Sequence, residues 1–215
     1  MSPSKGLIYY TDNRLDNLPI GPRVREELLK ANLPIVSCTL KPIEFGKNIW
    51  LDMERGYQTM FRQILTCLLE SDADIVYFCE HDVLYPKEHF DFTPPDKDKF
   101  YYDLNWWKVG KRPLAVHWDA AQVSGLACYR KLAIDHYSDR LETFDPDNFD
   151  RKFEPSVDTK YETWWADKPH IDVRGNWNLT YNKWKLDHFR KKETAVNFQE
   201  KPLSDIKEWD LTDIL

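Results

Sequence analysis

The chain of 215 residues is 42% hydrophobic and 31% charged, long enough for one domain with a buried core. Thirty Lys and Arg against 36 Asp and Glu leave a net charge of -6, which offers no general field for a polyanion and sets nucleic acid aside as a partner. No apolar run reaches the roughly 20 residues that span a bilayer. Residues 1–5 and the following Gly6-Leu7-Ile8-Tyr9-Tyr10 lack a signal peptide's apolar core, so a cytoplasmic location without membrane insertion is expected.

In chain order, Gly6 to Tyr10 is a short β-prone run that stops at the turn-forming trio Thr11-Asp12-Asn13. Pro22 to Ala31 follows with Val24, Leu28 and Leu29 at helical spacing, and Leu33 to Leu40 reads as a second strand. Strand, helix and strand at this length make a βαβ unit and a parallel sheet. A helix is predicted from Met53 to Glu70, with Met53, Tyr57, Met60, Phe61, Ile64, Leu65, Leu68 and Leu69 along one side. Ile75-Val76-Tyr77-Phe78-Cys79 is continuously apolar, as a strand buried on both faces should be, and ends at Glu80-His81-Asp82. Lys87 to Arg112, with Pro94-Pro95 and a charge cluster, reads as loop or edge strand. Pro113 to Trp118 and Ser124 to Tyr129 resemble short strands, and Asp145 to Tyr161 is polar and irregular. The organisation predicted is one domain over 1–190 and a peripheral extension over 191–215.

Cys38, Cys67, Cys79 and Cys128 form no CxxC pair, and the last three lie in apolar segments, as reduced buried thiols do. The 9 Trp, 11 Tyr and 11 Phe suit either large core residues or stacking platforms for sugar and base rings. Ligands of open α/β sheets sit outside the carboxyl ends of parallel strands. Two such ends are polar here, Thr11-Asp12-Asn13 and Glu80-His81-Asp82. Glu80 and Asp82, two apart in extended chain, share a face. Two hard oxygen ligands there suit Mg²⁺ or Mn²⁺ beside a phosphate, while an acidic turn capping a helix near Pro86 is the other reading.

The segment Ile75 to Val83 resembles the metal-binding strand and acidic DxD-type motif of GT-A glycosyltransferases, with EHD in place of DxD. Glu54 to Gln63 fits the helix before that motif, and Ser124 to Lys131 is similar to the small-residue loop and strand lining the sugar pocket. The resemblance spans roughly residues 5 to 185 and rests on the order and spacing of these segments. It implies a single α/β GT-A-like domain with a mostly parallel central sheet flanked by helices. It also implies transfer of a sugar from a nucleotide diphosphate donor, a UDP-sugar by the family's frequency, to a carbohydrate acceptor, with Mn²⁺ or Mg²⁺ on the diphosphate.

Carried over, Asp82 is the metal ligand, helped by Glu80. Thr11, Asp12, Arg55, His81 and Gly125 contact the donor, with Arg62 a weaker candidate that also reads as an exposed salt-bridging residue. Glu162, Asp158 and Asp119 are the carboxylates from which a general base would come; Glu162 is the choice, with Trp164 and Trp165 as an acceptor platform. Asp119 is expected to bind donor-sugar hydroxyls, and His117 to be structural. The resemblance calls for a third metal ligand, a His after Arg174, where this chain has Gly175; His170 is the substitute and His188 a remoter one. The alternatives are a nucleotidyltransferase on a related sheet and a non-catalytic carbohydrate-binding domain. A Gly-rich loop, usual in the former, is missing from Thr11-Asp12-Asn13-Arg14-Leu15-Asp16.

Overall fold

The structure, a computed structural model, describes residues 2–146, 155 and 159–215. Asp158 and much of the polar stretch before Tyr161 lie outside the described residues. The central sheet has seven strands in the order β10-β6-β9-β4-β1-β2-β3. They are β1 (Lys5–Thr11), β2 (Ile35–Thr39), β3 (Lys47–Trp50), β4 (Ile75–Glu80), β6 (Phe100–Asp103), β9 (Leu126–Tyr129) and β10 (Tyr161–Trp164). β1 pairs parallel with β2 and β4, β2 with β3 and β6 with β10, so β9, antiparallel to both β4 and β6, alone runs against the rest. A second sheet, β12-β8-β7-β11-β5, is built from β5 (Val83–Leu84), β7 (Trp106–Val109), β8 (Leu114–His117), β11 (His170–Val173) and β12 (Gln199–Pro202).

The alternation of side chains along β1 divides the core in two. Leu7 and Tyr9 face α1 (Ile20–Leu29) and the second sheet, packing with Val24, Leu28, Tyr77, Val109, Ile171 and Val173. Ile8 and Tyr10 face α2 (Tyr57–Glu70) and α3 (Arg130–Glu142), packing with Phe61, Ile64, Leu68, Phe78, Ala133 and Tyr137. The mixed α/β architecture with a mostly parallel central sheet flanked by helices is therefore as the sequence implies. The four cysteines are free and buried.

Several segments differ from expectation. Phe100–Asp103 is an interior strand of the first sheet and Trp106–Val109 the middle strand of the second, because Phe100, Tyr101, Tyr102 and Trp106 are buried among neighbours on both sides. α2 starts at Tyr57 instead of Met53, since Gly56 is extended and Glu54 spends its carbonyl on the Thr59 hydroxyl, 2.6 Å away. Its buried face holds Thr59, Gln63 and Cys67, and Leu69 is exposed. α3 has no counterpart in the predicted elements; only Ala133 and Tyr137 of its residues are buried, too thin an apolar stripe to read as a helix. His170–Val173, given no element in the sequence reading, is a fully buried strand. Beyond Lys191, β12 forms an edge antiparallel to β8, and Ile206 and Leu211 join the core cluster of α1. Among the described residues no helix is long and apolar enough to cross a membrane.

Candidate active site

The order β3-β2-β1-β4 places the βαβ half of the sheet on one side of β1 and β4 on the other, and a crevice opens at the carboxyl ends where the winding reverses. A cavity of about 190 Å³ lies there. Its walls come from the ends of β1 (Tyr10, Thr11, Asp12) and β4 (Glu80, His81, Asp82), the start of α2 (Arg55 to Gln63), the turn Gln122–Ser124 and the segment after β11 (Arg174, Trp177 to Thr180). Leu179 and Thr180 are exposed at its rim.

Each wall is held by a local cause. The β1 end turns on Asn13 at φ 63°, a left-handed conformation that Asn tolerates, and Asn13 Oδ1 accepts from the N–H groups of Leu40 and Lys41 at 2.8 Å. Thr11 Oγ1 accepts the Asn13 N–H at 2.9 Å and bonds His81 Nδ1 at 2.6 Å, tying the two strand ends together. Gln63, buried in α2, donates to the carbonyls of Thr11 (2.8 Å) and Cys38 (3.0 Å), which the sheet leaves open as β1 and β2 end. Asp12 receives Arg55 Nε, and Arg55 Nη2 donates to the Trp177 carbonyl at 2.6 Å.

The floor is charged. Tyr10 donates its hydroxyl to Glu80 Oε1 at 3.2 Å, and Asn178 Nδ2 donates to Asp82 Oδ2 at 2.5 Å. Burial, with the neighbouring Asp82 charge adding to it, pushes the Glu80 carboxyl up to about 8; burial raises Asp82 as well. Arg174 Nε sits 2.6 Å from Asp172 Oδ1, and the Asp172, Asp82 and Glu80 charges keep the guanidinium protonated against the effect of its own burial. Lys108, facing Asp172 across the β7–β11 register and lying 4.3 Å over the Trp118 ring, is pulled down to about 7 by burial and by Arg174. Three buried or half-buried carboxylates thus converge on one guanidinium and a weakened ammonium.

Of the sequence-predicted residues, Thr11, Asp12, Arg55, Glu80, His81 and Asp82 line this one cavity. Gly125 stands just behind its wall, its backbone against the Asp103 carbonyl and the His170 ring. His170 is not with Glu80 and Asp82. It shares its face of β11 with Asp172 but stands two residues earlier along the strand, in a buried cluster where His89 Nδ1 (2.8 Å) and His170 Nδ1 (3.3 Å) both donate to Asp103 Oδ2. Among the described residues this trio is the one group of three metal-ligand types whose donor atoms all fall within 4.8 Å. Asp103 Oδ1 accepts the N–H groups of Asn105 (2.9 Å) and Ala166 (3.1 Å), so the cluster braces three segments by itself.

Glu162 lies exposed on the edge strand β10, paired with Lys99 at 2.6 Å and outside the cavity lining, because β10 parallels β6 at the far side of the sheet from β1. Asp119 accepts Asn197 Nδ2 at 2.6 Å and is also outside that lining. Trp164 stacks on Phe92 at 4.2 Å, while Trp165 is exposed. His117 donates Nδ1–H to the Trp106 carbonyl at 2.8 Å, and His188 accepts the Trp184 N–H at 3.0 Å. Arg62 is exposed. Tyr10, Tyr57, Gln63, Trp177 and Asn178 line the site without having been singled out; Gln63, polar between the apolar Met60 and Ile64, was the one detectable signal.

No protein-family model matches the chain, and no curated protein matches it. Among solved structures it is similar to the bifunctional IspDF from Campylobacter jejuni, at 12% identity and TM-score 0.46, over 77% of this chain and 50% of that one. It is similar to the mannosyltransferase PcManGT from Pyrobaculum calidifontis, in complex with GDP-Man and Mn²⁺, at 11% identity and TM-score 0.45, over 82% and 59% of the two chains. A glycosyltransferase involved in glycosylation of the major capsid of PBCV-1 is similar at 9% identity and TM-score 0.49, over 76% and 82%. The chain thus spans half and about three-fifths of the length of the first two.

Proposed function

We propose that the chain is a divalent-cation-dependent glycosyltransferase that takes a sugar from a nucleoside diphosphate donor, with UDP as the nucleotide and a carbohydrate hydroxyl as acceptor. The observation that carries the reading is the convergence of Thr11, Asp12 and Arg55 with Glu80, Asp82 and Arg174 around one cavity at the switch point of the sheet. The acidic donor set fits Mn²⁺ or Mg²⁺: Glu80 and Asp82 turn hard carboxylate oxygens to the cavity, and among the described residues Asp82 Oδ1 accepts no hydrogen bond from another residue. Glu80 and Asp82 would hold the cation. When bound, it would supply Lewis-acid stabilisation to the leaving diphosphate.

The chain's own residues do the rest. Arg174, kept protonated by its carboxylate neighbours, adds a fixed positive charge to the diphosphate end of the cavity. Asp12 and Thr11 offer acceptor oxygens to the base or ribose, and Arg55 fixes Asp12 while pinning the Trp177 carbonyl. Gln122, Val123 and Ser124 form the wall of the cavity against which the sugar would lie. A nucleotidyltransferase is disfavoured by the β1–α1 loop, which lacks glycine and spends Asn13 on Leu40 and Lys41.

The test is calorimetric titration of UDP, GDP and CMP with and without Mn²⁺, on the wild type and on Asp82→Ala. UDP binding that needs Mn²⁺ and is lost in Asp82→Ala is expected. Silence from all three nucleotides in folded protein, or unchanged binding in the variant, would overturn the reading.

A further inference from the structure

The segment after β11 crosses the cavity and is fastened to it at three points. Arg55 donates to the Trp177 carbonyl at 2.6 Å, the Tyr57 hydroxyl donates to the Leu179 carbonyl at 3.1 Å, and Asn178 Nδ2 donates to Asp82 Oδ2 at 2.5 Å. The Asn178 amide is oriented from its other end, where Oδ1 accepts the Gly175 N–H at 2.9 Å, so the NH₂ group is the one that faces the carboxylate. A Cβ at Gly175 would displace the Trp177 ring, which packs directly over the glycine. The turn that presents Asn178 is therefore built from Gly175, Trp177 and Asn178 together.

We infer that Asn178 is a positioning residue for Asp82: it holds Oδ2 by a charge-assisted hydrogen bond and leaves Oδ1 as the cation's oxygen. The inference rests on the proposed cation site at Glu80 and Asp82 and names the residue that prepares it. Asp82 is 6% exposed, and among the described residues its Oδ1 accepts no hydrogen bond from another residue. A buried carboxylate with one oxygen fixed has lost the freedom to turn both oxygens to other donors. Outer-shell partners of this kind typically carry about 10- to 100-fold in metal affinity. Asn178 thus occupies the neighbourhood that a His after Arg174 would have filled, and acts through Asp82 instead of on the ion.

The experiment is Mn²⁺ titration, alone and with UDP, followed by the electron paramagnetic resonance signal of free Mn²⁺. It is run on the wild type, Asn178→Ala, Asn178→Leu and Asn182→Ala, with thermal unfolding of each. Asn182 is the control for the segment's own order: its Nδ2 donates to the Gly175 carbonyl at 3.0 Å and does not reach Asp82. Expected is a loss of Mn²⁺ affinity of about tenfold or more in both Asn178 variants and under about threefold in Asn182→Ala. Equal or tighter binding in Asn178→Ala would overturn the inference, tighter binding making Asn178 a competitor of the cation. Equal weakening in Asn182→Ala would overturn it too, by assigning the effect to segment order. A wild type that binds no Mn²⁺ removes the cation site itself and this inference with it, whereas wild-type binding that Asn178→Ala leaves intact removes the inference alone.

Discussion

Replacing Asp103 with asparagine exchanges one oxygen for an NH₂ group on a carboxylate that takes four hydrogen bonds, from His89, His170, Asn105 and Ala166. In the wild type, burial alone would push this carboxyl up, but hydrogen bonds from His170 and His89 outweigh it and hold it well below the usual carboxylate range. In Asp103→Asn the remaining oxygen can keep the Asn105 and Ala166 N–H groups. The new NH₂ then faces two imidazole N–H groups, unless both rings change tautomer. That change would leave N–H groups at His89 Nε2 and His170 Nε2, which are buried and lack a hydrogen-bond partner. The cost is the loss of two charge-assisted bonds plus new unpaired donors, about 3 kcal/mol after partial relaxation. For a domain of this size that corresponds to a fall in Tm of about 6–12 °C. Differential scanning calorimetry at pH 7 reads it directly, and a loss below about 1 kcal/mol would refute the brace. The same network makes a spectroscopic prediction. Burial pulls the His89 imidazole below its ordinary value in spite of Asp103, so at pH 6 it should be less protonated than an exposed histidine, with Nδ1 carrying the proton of its neutral form. Because the folded value lies below the unfolded one, His89's contribution to stability is full above pH 6.5 and declines as the pH falls below it. A His89 as protonated at pH 6 as an exposed histidine, by nitrogen NMR, would contradict this.

Two further substitutions probe the site's walls. Gly125→Ala would set a Cβ 2.8 Å from the Asp103 carbonyl oxygen and 3.4 Å from His170 Cε1. The backbone contact cannot yield, so about 1–3 kcal/mol of stability should be lost in urea unfolding, with weaker UDP binding as the Val123–Gly125 turn shifts; wild-type values in both would show that the turn has slack. Glu162→Gln removes an exposed partner of Lys99 and should leave Mn²⁺-dependent UDP binding and sugar transfer close to wild type. A large loss of transfer at unchanged UDP affinity would instead bring the β10 edge into the acceptor site.

The half of the fold nearest the site was legible because its strands bury both faces. Gly6–Tyr10 and Ile75–Cys79 are continuous apolar runs, and the turn chemistry at Thr11–Asn13 and Glu80–Asp82 marks where each run ends. Those two ends are adjacent in space because β1 and β4 pair in register, Tyr10 against Glu80. The second sheet was less readable. β11 carries His170 and Asp172, and β7 carries Lys108, all buried. Polar residues in a strand pattern normally signal a solvent face, and here they signal a buried charge network instead.

What no local pattern could supply is the contact between distant segments. Asn178 reaches Asp82 across 96 residues and Arg55 reaches the Trp177 carbonyl across 122. The spacing in the sequence set an acidic pair beside a missing histidine and left the third ligand open. The chain's return after β11 answers that gap with an amide and not an imidazole. An amide that donates cannot bind the cation through that atom, so whatever selectivity the site has must come from the carboxylates it orients. On this geometry the affinity for Mn²⁺ should depend on Asn178 only while Asp82 is present: in an Asp82→Ala background, adding Asn178→Ala should cost nothing further, the signature of two residues acting as one unit. Additive losses in the double variant would mean that Asn178 meets the cation or the nucleotide by a route of its own.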